Sequence, residues 1–140
     1  MHPILKLVLG IVAGVIVSFC VISLVESLSA KLYPMKTLTP SIEQIIAEMK
    51  TLPLAAYLLV LGGYVLSSFF GGYTAARIAS AERKIIAALT VGFVLLLGGI
   101  VLFITLPHPL WMSILSSISF LFFAWLGGLA AQKRVTLEHL

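Results

Sequence analysis

Few residues of this sequence combine into a recognisable catalytic or metal-binding pattern. Its five acidic residues are all Glu, its single cysteine is Cys20, and its three histidines are His2, His108 and His139. The serines between residues 113 and 119 have no base or acid nearby in the sequence that could activate a hydroxyl as a nucleophile. We therefore expect no catalytic residue, no bound metal and no cofactor, and we expect that the chain is not an enzyme.

One carboxylate and one imidazole remain as candidates for a polar site. Glu26 follows a long apolar run, and His108 lies between two prolines just before Trp111. A carboxylate beside an imidazole raises the proton affinity of the ring. The expected topology brings Glu26, Tyr33, His108 and Trp111 to the same depth, where they form a candidate polar site at the outer face of the membrane. The alternative is that Glu26 simply reaches water while Tyr33 and Trp111 belong to the belt of interface aromatics.

Any such site must be positioned by helices that cross a membrane. The chain is 61% apolar and 10% charged, against roughly a quarter charged residues in a soluble domain. This composition excludes both a soluble globule and a disordered chain. All charged residues fall outside four windows of about 20 residues, the length that spans the hydrocarbon core. The windows are residues 7–25, 54–73, 85–106 and 110–131.

The windows predict an all-α fold, a single transmembrane domain over residues 1–140 that forms a four-helix bundle. Backbone groups in lipid must be hydrogen-bonded within the segment, and the windows are too long for the strands of a membrane barrel. We expect the spans at about 4–28, 53–76, 85–106 and 110–131. Pro107 and Pro109 separate the last two spans, because proline ends a helix.

The Lys and Arg residues predict the orientation, because cytoplasmic loops are enriched in them. With the N-terminus inside, six cations are inside and three, Lys31, Lys36 and Lys50, are outside. Both termini are therefore expected inside. The cations are spread over helix ends without forming a patch, so we expect no nucleic-acid partner. We expect three of the inner cations to contact lipid headgroups or to stabilise helix ends: Arg77, Arg83 and Lys84.

The long first connection, on the outer side, is expected to contain a short amphipathic helix at about residues 40–50. Thr39 can cap it, Pro40 suits its first position, and apolar residues recur with helical spacing from Ile42 to Met49. About ten residues cannot cross a membrane. The helix either tethers two spans at the surface or forms a lid over a site.

Small residues at four-residue spacing predict where helices pack, because they let backbones approach closely in lipid. The pattern favours packing within one bundle, although it also suits contact with another subunit. The predicted packing residues are Gly10, Gly14, Gly63, Ser67, Gly71, Ala75 and Gly128.

The order of several short motifs resembles a group of small bacterial four-helix membrane proteins. The motifs are Glu26, Tyr33-Pro34, the Gly-Gly-x-x-Ala-Ala-Arg segment at 71–77, the Pro-His-Pro-x-Trp segment at 107–111 and the Trp-Leu-Gly-Gly segment at 125–128. The resemblance implies a location in the bacterial cytoplasmic membrane, and it implies no catalytic residue.

Two classes of function follow from these observations. The first is a non-catalytic accessory or stabilising subunit of a larger membrane assembly, with lipid and other membrane subunits, or further copies of the chain, as partners. The second is a transporter or channel for small solutes or ions that acts as an oligomer. Compact four-span multidrug exporters have a carboxylate in the middle of their first span, whereas Glu26 lies near the end of this one and departs from that pattern.

Overall fold

In a computed structural model, the chain forms four long helices and one short helix. The structure describes the backbone of residues 1–138 and the side chains of residues 1–133; the side chain of Arg134 and the whole of His139 lie outside this part. The predicted all-α class is confirmed. The helices are α1 (Pro3–Leu32), α2 (Ile42–Met49), α3 (Leu54–Ile78), α4 (Lys84–Thr105) and α5 (Leu110–Glu138), with a 3-10 turn at Ala81–Arg83 before α4.

Four of these helices, α1, α3, α4 and α5, are long and apolar enough to cross a membrane. At a rise of about 1.5 Å per residue, each is at least as long as the roughly 30 Å hydrocarbon core is thick. The chain therefore has the architecture of a multi-pass membrane protein.

The long helices α1 and α5 extend beyond the expected spans. α1 continues past residue 28 to Leu32, and α5 continues past residue 131 to Glu138. Tyr33 leaves the helical conformation with φ −128° and ψ 69°, because Pro34 disfavours a helical residue before it. Charged residues thus mark where a helix leaves the hydrocarbon, whereas the helix itself continues until a proline or another breaker stops it. Glu26 consequently lies inside α1.

The short helix α2 begins later than the sequence suggested. Ser41, rather than Thr39, is its N-cap, and Pro40 lies outside the helix. The Ser41 hydroxyl accepts a hydrogen bond from the Gln44 backbone amide at 3.3 Å, and the Ser41 amide donates to Gln44 Oε1 at 2.9 Å. This reciprocal capping box satisfies two backbone amides at once, an advantage that Thr39 does not have.

α1 and α3 are antiparallel and are joined along the predicted stripes of small residues. A Cβ atom on Gly10 would lie 2.6 Å from the Ala75 carbonyl oxygen, and one on Gly71 would lie 2.8 Å from the Gly14 carbonyl oxygen. Ser18 lies between these backbones and donates its hydroxyl to Ser67 O at 2.9 Å. Only glycine permits backbone contact this close.

α5 also packs against α3 and α4 through close contacts at glycines. Side chains at Gly72 and Gly127 would strike the facing backbones of α5 and α3 respectively. Gly92 approaches the Phe120 carbonyl oxygen of α5, and Gly128 approaches the Ala88 side chain of α4. α3 therefore packs against α1, α4 and α5, and the core between the helices consists largely of alanine and glycine.

The bundle has two distinct ends. The α2 end contains residues 33–53 and the turn at 106–109, whereas the opposite end contains the N-terminus and the turn at 79–83. Of the three cations predicted for headgroup contact, Arg77 is exposed, Arg83 is half-buried and Lys84 is buried. All three lie at the opposite end.

Candidate functional site

A cavity of about 620 Å³ lies at the α2 end, between α1, α2, α3 and α4. Much of its lining is apolar, and it includes Leu32, Val60, Leu102 and Leu106. The polar groups of the lining are Glu26, Ser29, Tyr33, Lys36, Glu48, Thr51, Tyr64 and His108. Three of the four residues predicted for the polar site, Glu26, Tyr33 and His108, thus lie around one cavity.

α1 and the turn before α5 position these three residues. Glu26 lies about two turns before the end of α1, and Tyr33 caps that end with its amide donating to Ser29 O at 2.8 Å. The His108 ring is held by its own turn: Nδ1 lies 3.0 Å from Leu106 O, and the ring packs edge-on against Phe103 at 5.1 Å. The ring is thus hydrogen-bonded to the Leu106 carbonyl oxygen rather than to Glu26.

α2 forms one wall of the cavity through Ile45, Glu48 and Met49. Two hydrogen bonds hold it there: the Lys36 amide donates to Glu48 Oε2 at 3.2 Å, and the Tyr57 hydroxyl donates to Met49 O. The first bond ties α2 to the connection that follows α1, and the second ties it to α3. These two bonds hold α2 beside the cavity, and both roles expected for it, a tether or a lid, stay predictions.

Trp111 is the predicted site residue that does not line the cavity. Its ring packs edge-on against Tyr57, with ring centroids 6.5 Å apart. It therefore supports the residue that holds α2, and its exposed surface fits the interface belt that the sequence offered as the alternative.

Sequence reasoning missed five polar members of the lining: Ser29, Lys36, Glu48, Thr51 and Tyr64. Tyr64 is 4% exposed and packs against Phe120 of α5 at 5.3 Å. A tyrosine within a charge-free window was a usable signal, because a buried phenol needs a polar neighbour. Lys36 and Glu48 carried no comparable signal, since the course of a long connection is not set by periodicity.

The middle of the bundle is filled between Tyr64 and the opposite end. Ser18, Ser67, Ala75 and Val91 are fully buried there, and the α1 and α3 backbones touch at Gly14 and its partners. The cavity therefore lies at one end of a close-packed bundle.

The cavity lining combines polar and apolar groups, which suits the binding of a small molecule. Within residues 1–133, no group of three His, Cys or Glu side chains is placed to hold a metal ion. The lining contains carboxylates, one ammonium group and hydroxyls together with apolar side chains. Such an arrangement can orient a molecule that has both a polar and an apolar part.

A second surface feature lies on the exposed side of α1. Cys20, Ser23 and Ser27 are exposed and form a polar stripe. A shallow groove contains this stripe together with the apolar Ile16, Phe19 and Leu24. We call this surface the α1 groove.

No family model, curated protein or solved structure matches this chain. The resemblance to small bacterial four-helix membrane proteins therefore stays a prediction based on motif order.

Proposed function

We propose that the chain is a non-catalytic accessory or stabilising subunit of a larger membrane assembly. The observation that carries this proposal is the α1 groove, where Cys20, Ser23 and Ser27 lie exposed among large apolar side chains. Hydroxyl groups facing hydrocarbon gain from a protein partner, because lipid tails offer them no hydrogen bond.

The burial of the four spans supports the same reading. Only 17% of the most apolar window of α1 is buried, against 28–33% in the other three spans. α1 packs on α3 and α4 along one stripe, which leaves the α1 groove facing outward. We infer that a membrane-spanning helix of another protein occupies this groove, with small polar residues allowing close approach.

Cys20 makes this proposal testable without a new label, because it is the single cysteine of the chain and is exposed in the groove. Native membranes would be treated with a short thiol cross-linker, extracted in mild detergent and analysed by native mass spectrometry. We expect one partner protein in fixed ratio to the chain, linked through Cys20 and absent from the Cys20→Ser variant.

Three outcomes would count against the accessory role. A cross-linked species of twice the chain mass would identify a second copy as the occupant. A chain that always runs alone would leave the groove facing lipid. A partner recovered equally well with Ser23→Leu and Ser27→Leu variants would show that the groove does not bind it.

The second candidate is a transporter or channel for small solutes or ions that acts as an oligomer. The observation that favours it is the 620 Å³ cavity with the Glu26 carboxylate in its lining. Because the middle of one bundle is filled, a passage would have to form between copies. Flux into liposomes should fall in Glu26→Gln and persist in Glu43→Gln, whose residue lies on α2 outside the cavity lining. Equal flux in both variants, or none in the native chain, removes this candidate.

We further propose that the chain resides in a bacterial cytoplasmic membrane with both termini inside. The resemblance in motif order supports a location in the bacterial cytoplasmic membrane. The distribution of Lys and Arg residues supports the orientation. Lys6, Arg77, Arg83 and Lys84 belong to the opposite end, whereas the α2 end has Lys31, Lys36 and Lys50. The turn at 79–83 is short and borders three of these cations, which is the pattern typical of a cytoplasmic turn.

A further inference from the structure

We propose that the cavity at the α2 end binds the ammonium group of an amphipathic molecule, with Glu26 as its counter-ion and the aliphatic part against the apolar side chains of the lining. This proposal is independent of the accessory role, because it concerns the cavity and not the α1 groove. It assigns a ligand class to a site whose polar members lie on α1, α2, α3 and the turn before α5.

The size and lining of the cavity favour an organic ligand over a bare ion. Its volume of about 620 Å³ falls within the roughly 300–1,000 Å³ typical of small-molecule sites. Val60, Leu102 and Leu106 provide an apolar surface that water alone would fill poorly. An aliphatic chain gains free energy by replacing that water.

The charges of the lining favour a cationic head group. The lining contains two carboxylates, Glu26 and Glu48, but only one ammonium group, that of Lys36. Glu48 already accepts a hydrogen bond from the Lys36 amide. Glu26 is exposed and lines the cavity, and we assign it as the carboxylate that meets the ligand. An anionic head group would meet two carboxylates, which disfavours it.

The aromatic members of the lining add to the same preference. Tyr33 and Tyr64 both border the cavity, and the faces of aromatic rings attract cations within about 6 Å. Tyr64 is 4% exposed and held against Phe120, so its ring is a fixed part of the wall. A fixed wall lowers the entropy cost of binding.

One ligand chemistry, an ammonium on an aliphatic body, has two natural sources. It is found in the head group of an aminophospholipid such as phosphatidylethanolamine and in soluble amphipathic amines. The first would enter sideways from the bilayer, and the second would enter from water. The test must therefore contain an arm for each source.

The test uses the purified full-length chain in a neutral detergent. Thermal unfolding is measured with n-decylamine, which is protonated at pH 7, and with 1-decanol, which has the same chain without the charge. We expect decylamine to raise the unfolding temperature more than decanol. For the lipid arm, native mass spectrometry compares retention of phosphatidylethanolamine with that of phosphatidylglycerol, which lacks an ammonium group.

Two variants connect the binding to the cavity. Glu26→Gln keeps the shape and removes the charge, and we expect it to weaken decylamine binding about fivefold, the size of a partly hydrated ion pair. Glu43→Gln makes the same change on α2 outside the cavity lining and should bind like the native chain. Val60→Trp fills the cavity and should abolish binding of both decylamine and decanol.

The possible results distinguish the two ligand sources from each other and from a failure of the proposal. Selective retention of phosphatidylethanolamine assigns the lipid source, and decylamine binding without such retention assigns the soluble source. Equal stabilisation by decylamine and decanol would overturn the proposal, as would a Glu26→Gln variant that keeps the native preference. If Glu26→Gln fails to fold, the comparison of decylamine with decanol on the native chain still tests the preference for an ammonium group. The Val60→Trp variant still tests whether binding takes place in the cavity.

Discussion

Two buried serines of this bundle differ in whether their hydroxyls have a partner. Ser18 Oγ lies 3.0 Å from Gly14 O and 2.9 Å from Ser67 O, so its hydroxyl links α1 to α3. Ser116 Oγ is also fully buried but has no hydrogen-bond partner within the described part of the chain. A buried hydroxyl without a partner costs free energy, whereas one that bridges two helices stabilises their contact.

Opposite effects on stability follow from removing the two hydroxyls. Ser18→Ala should lower the free energy of unfolding by about 1 kcal/mol, the usual scale of an interhelical hydrogen bond. Ser116→Ala should leave stability unchanged or raise it, because it removes an unsatisfied group. Thermal unfolding in detergent measures both variants. A larger loss for Ser116→Ala than for Ser18→Ala would show that Ser116 has a partner in the membrane.

At the scale of single residues, the sequence could predict part of the candidate site. Glu26, Tyr33 and His108 were grouped because the topology gives them one depth, and all three border the cavity. Depth alone does not give the direction of a side chain, which is why Trp111 was grouped with them although it packs on Tyr57. Glu48 was missed because its place depends on the course of the connection that contains α2 and on the bonds that hold α2 there.

At the scale of the helices, α3 is the element on which the others depend. It packs against α1, α4 and α5, and its glycines differ sharply in their surroundings. A Cβ atom on Gly71 would collide with the Ser18 hydroxyl, whereas one on Gly62 would meet nothing within 4 Å. Identical substitutions on one helix can therefore separate packing from helix propensity.

Gly71→Ala should destabilise the bundle by about 1–3 kcal/mol, the cost of forcing extra volume into a packed contact. Gly62→Ala is the matched control and should be neutral or slightly stabilising, because alanine favours helix more than glycine does. Thermal unfolding in detergent, with helix content followed by circular dichroism, provides the measurement. Equal behaviour of the two variants would mean that α1 and α3 separate in detergent.

The helices themselves were largely predictable from the sequence, and their ends were not. A run of about 20 residues without charge indicates a segment long enough to cross the hydrocarbon core. α1, α3, α4 and α5 all include such a run. The end of α1 is set by Pro34 instead, and the start of α2 is set by the capping box of Ser41. Both are local backbone effects that hydropathy does not record.

At the scale of the whole molecule, the two ends of the bundle differ in charge and in shape. The α2 end has the cavity and the long connection. The opposite end has the cluster of cations from Arg77 to Lys84. This asymmetry predicts a single orientation in the membrane.

Cysteine labelling should find the two ends on opposite sides. In a Cys20→Ser background, Thr37→Cys and Glu82→Cys each introduce one thiol at an exposed position. A membrane-impermeant maleimide applied to intact cells should label Thr37→Cys, and it should label Glu82→Cys only after the cells are opened. Labelling of both thiols in intact cells would contradict a four-span topology, and the reverse pattern would contradict the expected orientation alone.

The contact between α1 and α3 also bears on how the chain is made. α1 is synthesised first, yet Gly10, Gly14 and Ser18 contact residues of α3 that come about 50 to 65 positions later in the sequence. The first helix therefore has none of its α3 contacts until residues 33–53 and α3 itself have been synthesised. The pairing of α1 with α3 thus follows the synthesis of the longest connection in the chain.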